Sequence, residues 1–191
     1  TTTAATSTIS DTGIISGIAE GSQEKGANTD DLIENSSFTN TVAINFGTTN
    51  TITNPLSTAG VTITQNGSDI TITSTATGVE FLLSGTTANG SVKIYSEKKF
   101  KTTLNGVNIT NNDGPAINIQ SSKRNFIVVN ANTTNSLTDG TTYATSTEDQ
   151  KGTIFSEGQI IFTGTGNLNI KSNYKHGIVS DDYVRIISGN I

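Results

Sequence analysis

The sequence predicts an all-β chain wound as a right-handed parallel β-helix, a solenoid with three faces per coil. Three observations predict it. Short runs alternate Val, Ile or Thr with other residues, as in Val61-Thr-Ile-Thr64, Ile70-Thr-Ile-Thr73 and Val92-Lys-Ile94, the period-2 signature of strands buried on one side. Inward positions recur at a fixed spacing: 24 residues separate Ile154 from Ile178 and Ile160 from Val184, and 25 separate Val92 from Ile117 and Thr102 from Ile127. Asn and Gly recur at equivalent turns, where Asn tolerates left-handed backbone and stacks into hydrogen-bonded ladders. Strands returning at this spacing pair in parallel, through right-handed connections. An antiparallel sandwich is the alternative, but it does not require inward positions to repeat in register.

The elements follow in order. Residues 1–28, opening on the Thr/Ala/Ser string Thr1 to Ser10, read as a flexible Thr/Ser/Gly-rich stalk of the kind left once a leader is removed. Residues 29–191 form the β-helix, with Thr29 to Asn40 as a capping segment, because an uncapped coil leaves strand edges open. Face one stacks Val92, Ile117, Ile154 and Ile178; face two stacks Thr102, Ile127, Ile160 and Val184. Face three holds Val107 and Ile109, Leu137, Leu168 and Ile170, then Ile191. The step from Ile117 to Ile154 is 37 residues, so one coil carries an insertion at 138–150, expected to protrude with Asp139 in it. A face-three strand begins at Ile191, so the β-helix reads as incomplete at its C-terminal end.

Composition excludes several function classes. The chain has 191 residues, 32% apolar and 14% charged, with a net charge of −5. With no Cys there is no disulfide framework or thiolate site, and one His, His176, rules out a multi-histidine zinc site. No apolar run reaches the length of a membrane span. An acidic chain without a basic stripe disfavours nucleic acid. No nucleotide loop, nucleophile elbow or zinc motif is present.

Two kinds of charged cluster carry chemistry. At the 24-residue period Glu157 lies under Asp181, with Asp182 alongside. Successive coils are about 4.8 Å apart, and carboxylates that close either raise a pKa or take a cation. Calcium, a hard ion that collects oxygen ligands, is the natural candidate; two carboxylates splayed into water are the plain alternative. Asp113, in Asn111-Asn-Asp-Gly114, is a second candidate ligand, with Glu148 and Asp149 arriving one coil later. Among the cations, Lys151 and Lys175 are 24 residues apart, flanked by Tyr174 and His176. Lys123 and Arg124 occupy the turn of the preceding coil, and Arg185 points outward on face two. Such side chains bind uronate carboxylates, Arg as a fork and Lys as a point charge, or serve simply as solubilising charge. No Trp is present to stack on flat crystalline glycan. The outward aromatic candidates are Tyr95, Phe155, Tyr174 and Tyr183.

An ordered series of segments carries a family likeness: Phe81-Leu-Leu-Ser-Gly85 with Gly90-Ser-Val-Lys-Ile94, Leu104-Asn-Gly-Val-Asn-Ile-Thr110, Asp113-Gly-Pro-Ala-Ile117 and Asn135-Ser-Leu-Thr-Asp-Gly140. Ile154-Phe-Ser-Glu-Gly158, Gly164-Thr-Gly-Asn-Leu168, Asn173-Tyr-Lys-His-Gly-Ile178 and Ser180-Asp-Asp182 follow. Over residues 40–191 the chain resembles the bacterial β-helix family of carbohydrate-binding domain-containing proteins, akin to β-helical polysaccharide lyases. The resemblance implies an extracytoplasmic, secreted or cell-surface protein that binds polysaccharide, with calcium as a structural or bridging ion. Many members carry Ser-Lys-Asp-Asp-Leu after face one; here Ser156-Glu-Gly-Gln-Ile160 and Ser180-Asp-Asp-Tyr-Val184 stand, without the lysine. Three functions remain open at this point. They are non-catalytic glycan binding, β-elimination by a calcium-dependent lyase with Lys175 or Arg185 as base, and a structural stalk or adhesin.

Overall fold

The computed structural model describes residues 28–191; the expected stalk lies, but for Asn28, outside the described residues. The protein is all-β. Its strands are β1 (Asn40–Phe46), β2 (Thr51–Thr53), β3 (Val61–Asn66), β4 (Asp69–Ser74), β5 (Val79–Thr87), β6 (Ser91–Ser96), β7 (Phe100–Thr110) and β8 (Ile117–Ile119). They continue as β9 (Asn125–Val129), β10 (Thr134–Thr138), β11 (Gly152–Ser156), β12 (Ile160–Gly164), β13 (Asn167–Lys171), β14 (His176–Ser180) and β15 (Val184–Ile186). Two short 3₁₀ turns, Thr29–Asp31 and Ile33–Asn35, precede β1.

These strands make two mixed sheets. One has six strands in the order β14-β11-β8-β6-β4-β3; the other has nine, along β15-β12-β9-β7-β5-β1-β2 with β10 and β13 branching from β7. Among the described residues only β1–β2 and β3–β4 pair antiparallel, at one edge of each sheet. The remaining ladders are parallel, so the runs at 154–156 and 160–162 do not form a hairpin.

Face-one residues align as the spacing predicts: Val92 pairs with Ile117, Ile117 with Ile154, and Ile154 with Ile178. Face two slips by two residues in one step. Ile127, paired with Thr102, sits against Phe162 instead of Ile160, which faces Asn125. The 37-residue step conceals the change, because the turn after β11 is shorter than the turn after β8 and the period alone does not locate the difference. On the third face Ile109, Leu137 and Ile170 align. Val92, Ile117, Ile127, Leu137, Ile154 and Phe162 are all fully buried in one continuous core, each side chain contributing roughly 1.5–3 kcal/mol by leaving water.

Strand β7 belongs to two ladders: Phe100–Leu104 pairs with β9, and Asn108–Thr110 with β10. Gly106 makes the bend at φ +72°, a region open to glycine at little cost. The amides of Gly106 and Val107 freed by the bend both donate to the buried Asn135 Oδ1, at 2.8 and 2.9 Å.

The turns at the end of the six-stranded sheet repeat one device. Ser96, Ser121, Ser156 and Ser180 each accept, through Oγ, the amide of the residue two positions on. These serine turns stack, and Ser156 pairs with Ser180. They hold Glu157 beside Asp181.

Two segments lie over the outer faces. Residues 28–39, expected as a cap, run along the outside of the nine-stranded sheet, Asp31 bonding Arg185 and Arg124 and Phe38 packing edge-on against Phe126 at 5.6 Å. Phe126 and Ile161 point outward in one ladder row, yet both are fully buried. Burying that outward apolar row is the physical reason the segment lies there. The second segment is the insertion. Asp139 does not protrude; it is 1% exposed, because it accepts from the Asn173 amide at 2.5 Å and from Tyr143 Oη at 2.6 Å. The residues beyond it fold back over the six-stranded sheet.

Candidate functional site

The outer face of the six-stranded sheet is where polar groups, the exposed Tyr174 and concavity meet. Its outward row runs Thr71, Lys93, Asn118, Phe155 and Val179. The 139–151 loop crosses this row and is tied at several points. Glu148 accepts from Lys93 Nζ at 2.8 Å and from Tyr95 Oη. Asp149 O accepts from Gln120 Nε2, and Asp113 O from the Ala144 amide. Burial pushes the Tyr95 hydroxyl up to about 12, with the Glu148 hydrogen bond adding to it. For Glu148 burial acts upward, but the hydrogen bonds from Lys93 and Tyr95 outweigh it and hold the carboxyl below its ordinary value.

The loop divides the surface into two hollows. One, of about 220 Å³, lies between the strands and the 111–115 turn, lined by Asp69, Ser91, Lys93, Asp113 and Asn118. The other, of about 370 Å³, lies on the far side of the loop, lined by Tyr143, Glu148, Asp149, Gln150, Tyr174 and Lys175. Tyr174 is 51% exposed. Its ring lies 5.0 Å from that of Tyr143, and Lys175 Nζ stands over both rings at 5.7 and 5.3 Å while donating to Gln150 O. Burial, then the bond to Asp139, holds the Tyr143 hydroxyl far above its usual range.

The acidic turn abuts this second hollow. Among the described residues, Asp149, Glu157 and Asp181 bring carboxylate oxygens within 4.8 Å of one another. Lys151 Nζ sits among them, 2.8 Å from Asp149 and 2.7 Å from Asp181. Those hydrogen bonds hold its ammonium charged well above the ordinary lysine range. Glu157 is raised, first by burial and then by the charges of Asp181 and Asp149.

The predicted site residues therefore scatter. Lys151, Tyr174, Lys175, Glu157 and Asp181 gather around the second hollow, and exposed His176 begins β14 beside it. Asp113 lines the first hollow. Asp182 is taken by Gln159 Nε2, and Lys123 is exposed in its serine turn. Arg124 and Arg185 are on the other sheet and are not free to hold a ligand. Asp31, 1% exposed, takes Arg124 Nε at 2.8 Å and Arg185 Nη1 at 2.9 Å, and Tyr183 donates to the same carboxylate. Nothing in the repeat showed this, because Asp31 lies outside it. Of the outward aromatics, Tyr95 and Tyr183 are hydrogen-bonded and Phe155 is fully buried beneath Lys151. Sequence reasoning missed Tyr143, hidden in a non-repeating loop.

The fold and site define an all-β protein of stacked parallel ladders with an open, polar, tyrosine-edged groove. The chain belongs to the family described as carbohydrate-binding domain-containing protein, whose model matches residues 66–191. A protein of that description from Acetivibrio thermocellus is 33% identical over 116 residues, 58% of this chain. Among solved structures, a gadolinium derivative of the polysaccharide lyase-like protein from C. thermocellum superposes with a TM-score of 0.69 at 27% identity, covering 79% of this chain. The chain matches 41% of the length of the former and 60% of the latter. Among the described residues, no helix is long and apolar enough to cross a membrane.

Proposed function

We propose that this protein binds polysaccharide outside the cytoplasm, along the outer face of the six-stranded sheet, and that its parallel ladders are the coils of a right-handed, three-faced β-helix. The observation that carries the reading is exposed Tyr174 paired with half-buried Tyr143, Lys175 standing over both rings, at the edge of an open hollow lined by polar groups. The Tyr174 ring offers apolar area to a sugar face and a hydroxyl for its edge, while the Tyr143 hydroxyl is held by Asp139. An acidic, soluble glycan is the preferred ligand class. The rim is itself negative, with Asp149, Glu157, Asp181 and Asp182 against Lys151 and Lys175, so a uronan needs a bridging cation. Calcium fits a cluster of oxygens this close once Lys151 swings away.

The likeness to a polysaccharide lyase-like protein makes β-elimination the competing activity. It is disfavoured here because a base must be free to take the α-proton. Lys175 Nζ donates to Gln150 O and stands over the two tyrosine rings, and Arg185 is committed to Asp31. Calorimetric titration of polygalacturonate and of a neutral glucan, each with calcium and with chelator, tests the proposal. Calcium-dependent binding of the uronan without unsaturated product supports it. Accumulation of unsaturated product replaces it with the lyase reading, and absence of binding to any glycan leaves a structural stalk.

A further inference from the structure

Each ring of the tyrosine pair sits on a segment that no ladder holds. Tyr143 lies in the loop after β10, and Tyr174 in the exposed turn between β13 and β14. One buried carboxylate joins the two. Asp139 Oδ2 accepts from Tyr143 Oη at 2.6 Å, and Oδ1 accepts at 2.5 Å from the amide of Asn173, the residue before Tyr174. The backbone of Asp139 holds the same turn. Its carbonyl accepts from Asn173 Nδ2 at 2.7 Å, and its amide donates to Lys171 O at 3.3 Å. The rings so fixed stand 5.0 Å apart, tilted at 56°, with Lys175 Nζ over both.

The donors around Asp139 explain why a carboxylate stands there. Burying a charge is costly unless it is paired, and among the described residues no lysine or arginine pairs with Asp139. Asn would supply an acceptor for the Asn173 amide without that cost. The charge matters for the other oxygen. A carboxylate accepts at both ends, and a charged acceptor holds a hydroxyl about twice as strongly as a neutral one. That second oxygen serves Tyr143 Oη, and burial together with this bond keeps the hydroxyl protonated and donating. The bond therefore orients the Tyr143 ring, against which Tyr174 and Lys175 are set.

We infer that Asp139 is the positioning residue of the glycan site: through the Tyr143 hydroxyl and the Asn173 amide, its carboxylate sets the tyrosine pair in its receiving arrangement before a sugar arrives. The inference rests on the carbohydrate-binding reading and adds to it the group that preorganises the site. Asp139 is buried and does not line the hollow, so it touches no ligand itself. Its contribution is that Tyr143 and Tyr174 need not be ordered on binding, an ordering that otherwise weakens affinity.

The test is a double-mutant cycle on the whole chain, read by calorimetric titration with polygalacturonate in calcium and with a neutral glucan. Asp139→Asn keeps the volume and the acceptor for Asn173 but loses the charged acceptor facing Tyr143. Tyr143→Phe keeps the ring and removes only the hydroxyl. Each is expected to weaken binding of the glycan that the wild type takes by about fivefold, the scale of ordering one side chain on binding. Because both remove the same bond, the double variant is expected to stay within about twofold of either single one. Asp31→Ala, destabilised on the other sheet, is expected to bind as the wild type does, which separates positioning from general loss of stability. Wild-type affinity in Tyr143→Phe, or losses that multiply in the double variant, overturns the role of Asp139 and leaves the broader function standing. If the wild-type chain binds neither glycan, both fall. Should Asp139→Asn fail to fold, Tyr143→Phe decides alone, since it leaves the Asp139 bond to the turn in place: a fivefold loss supports the inference and unchanged binding overturns it.

Discussion

Lys151 Nζ stands 2.7 Å from Asp181, between that carboxylate and Asp149, in the place where register alone put a metal ion beside Glu157. The stacked serine turns align Glu157 with Asp181, and a lysine from the end of the insertion loop supplies the positive charge. Lys151→Ala removes it and leaves three carboxylates within 4.8 Å. The variant is expected to melt lower than the wild type in chelator and to gain more in melting temperature as calcium is added, by mass action on the folded state. Scanning fluorimetry across a calcium series checks it. An equal response of the two proteins counts against calcium at this turn.

Asp31 tethers the N-terminal segment to the nine-stranded sheet. Asp31→Ala leaves the guanidiniums of Arg124 and Arg185 without their carboxylate. Removing one partner of a buried ion pair costs 3–5 kcal/mol, and because Arg185 reaches solvent the lower end, about 3 kcal/mol, is expected. Urea denaturation measures the loss. Hydrogen exchange should quicken first in residues 29–39 and in β9.

Gly164 has φ +114°, and a Cβ there would stand 2.1 Å from Val129 O in the adjoining strand. That oxygen belongs to a ladder and cannot retreat without breaking it. Gly164→Ala is expected to cost at least about 3 kcal/mol, the upper end for backbone strain. Gly67→Ala offers a comparison, with a positive φ but nothing within 4 Å of the new atom, and should cost less in the same urea series.

Acid should loosen the insertion loop. The Glu148 carboxyl lies below its ordinary value of 4.5, because the hydrogen bonds from Lys93 and Tyr95 outweigh the upward effect of burial. Its stabilising contribution is therefore present above the unfolded value and is lost as pH falls through the folded one. Exchange of amides 141–150, corrected for intrinsic rates, is expected to accelerate as pH drops below about 4. Glu148→Gln should show fast exchange at neutral pH and little further change. Glu157 is shifted upward and contributes with the opposite sign, so the two must be separated by the variant.

The sequence by itself determined the strands, the parallel stacking of face one, and the alignment of Glu157 with Asp181. Each of these depends on a repeat: alternation marks a strand, and a constant period places Ile117, Ile154 and Ile178 on one line. The tertiary structure alone decided what lies on the outside of the sheets. Arg124 and Arg185 looked available because nothing in their own repeats opposes them, yet Asp31, more than ninety residues away in the chain, closes over both. Asp139 looked like a loop tip, and its burial depends on Tyr143 and the Asn173 amide folding back onto it. The two-residue slip at Phe162 and the hollow above Asn118 were hidden for the same reason. Periodicity reports what each repeat shares with the next, whereas non-repeating segments are placed by whichever apolar rows and unpaired charges the sheets leave exposed.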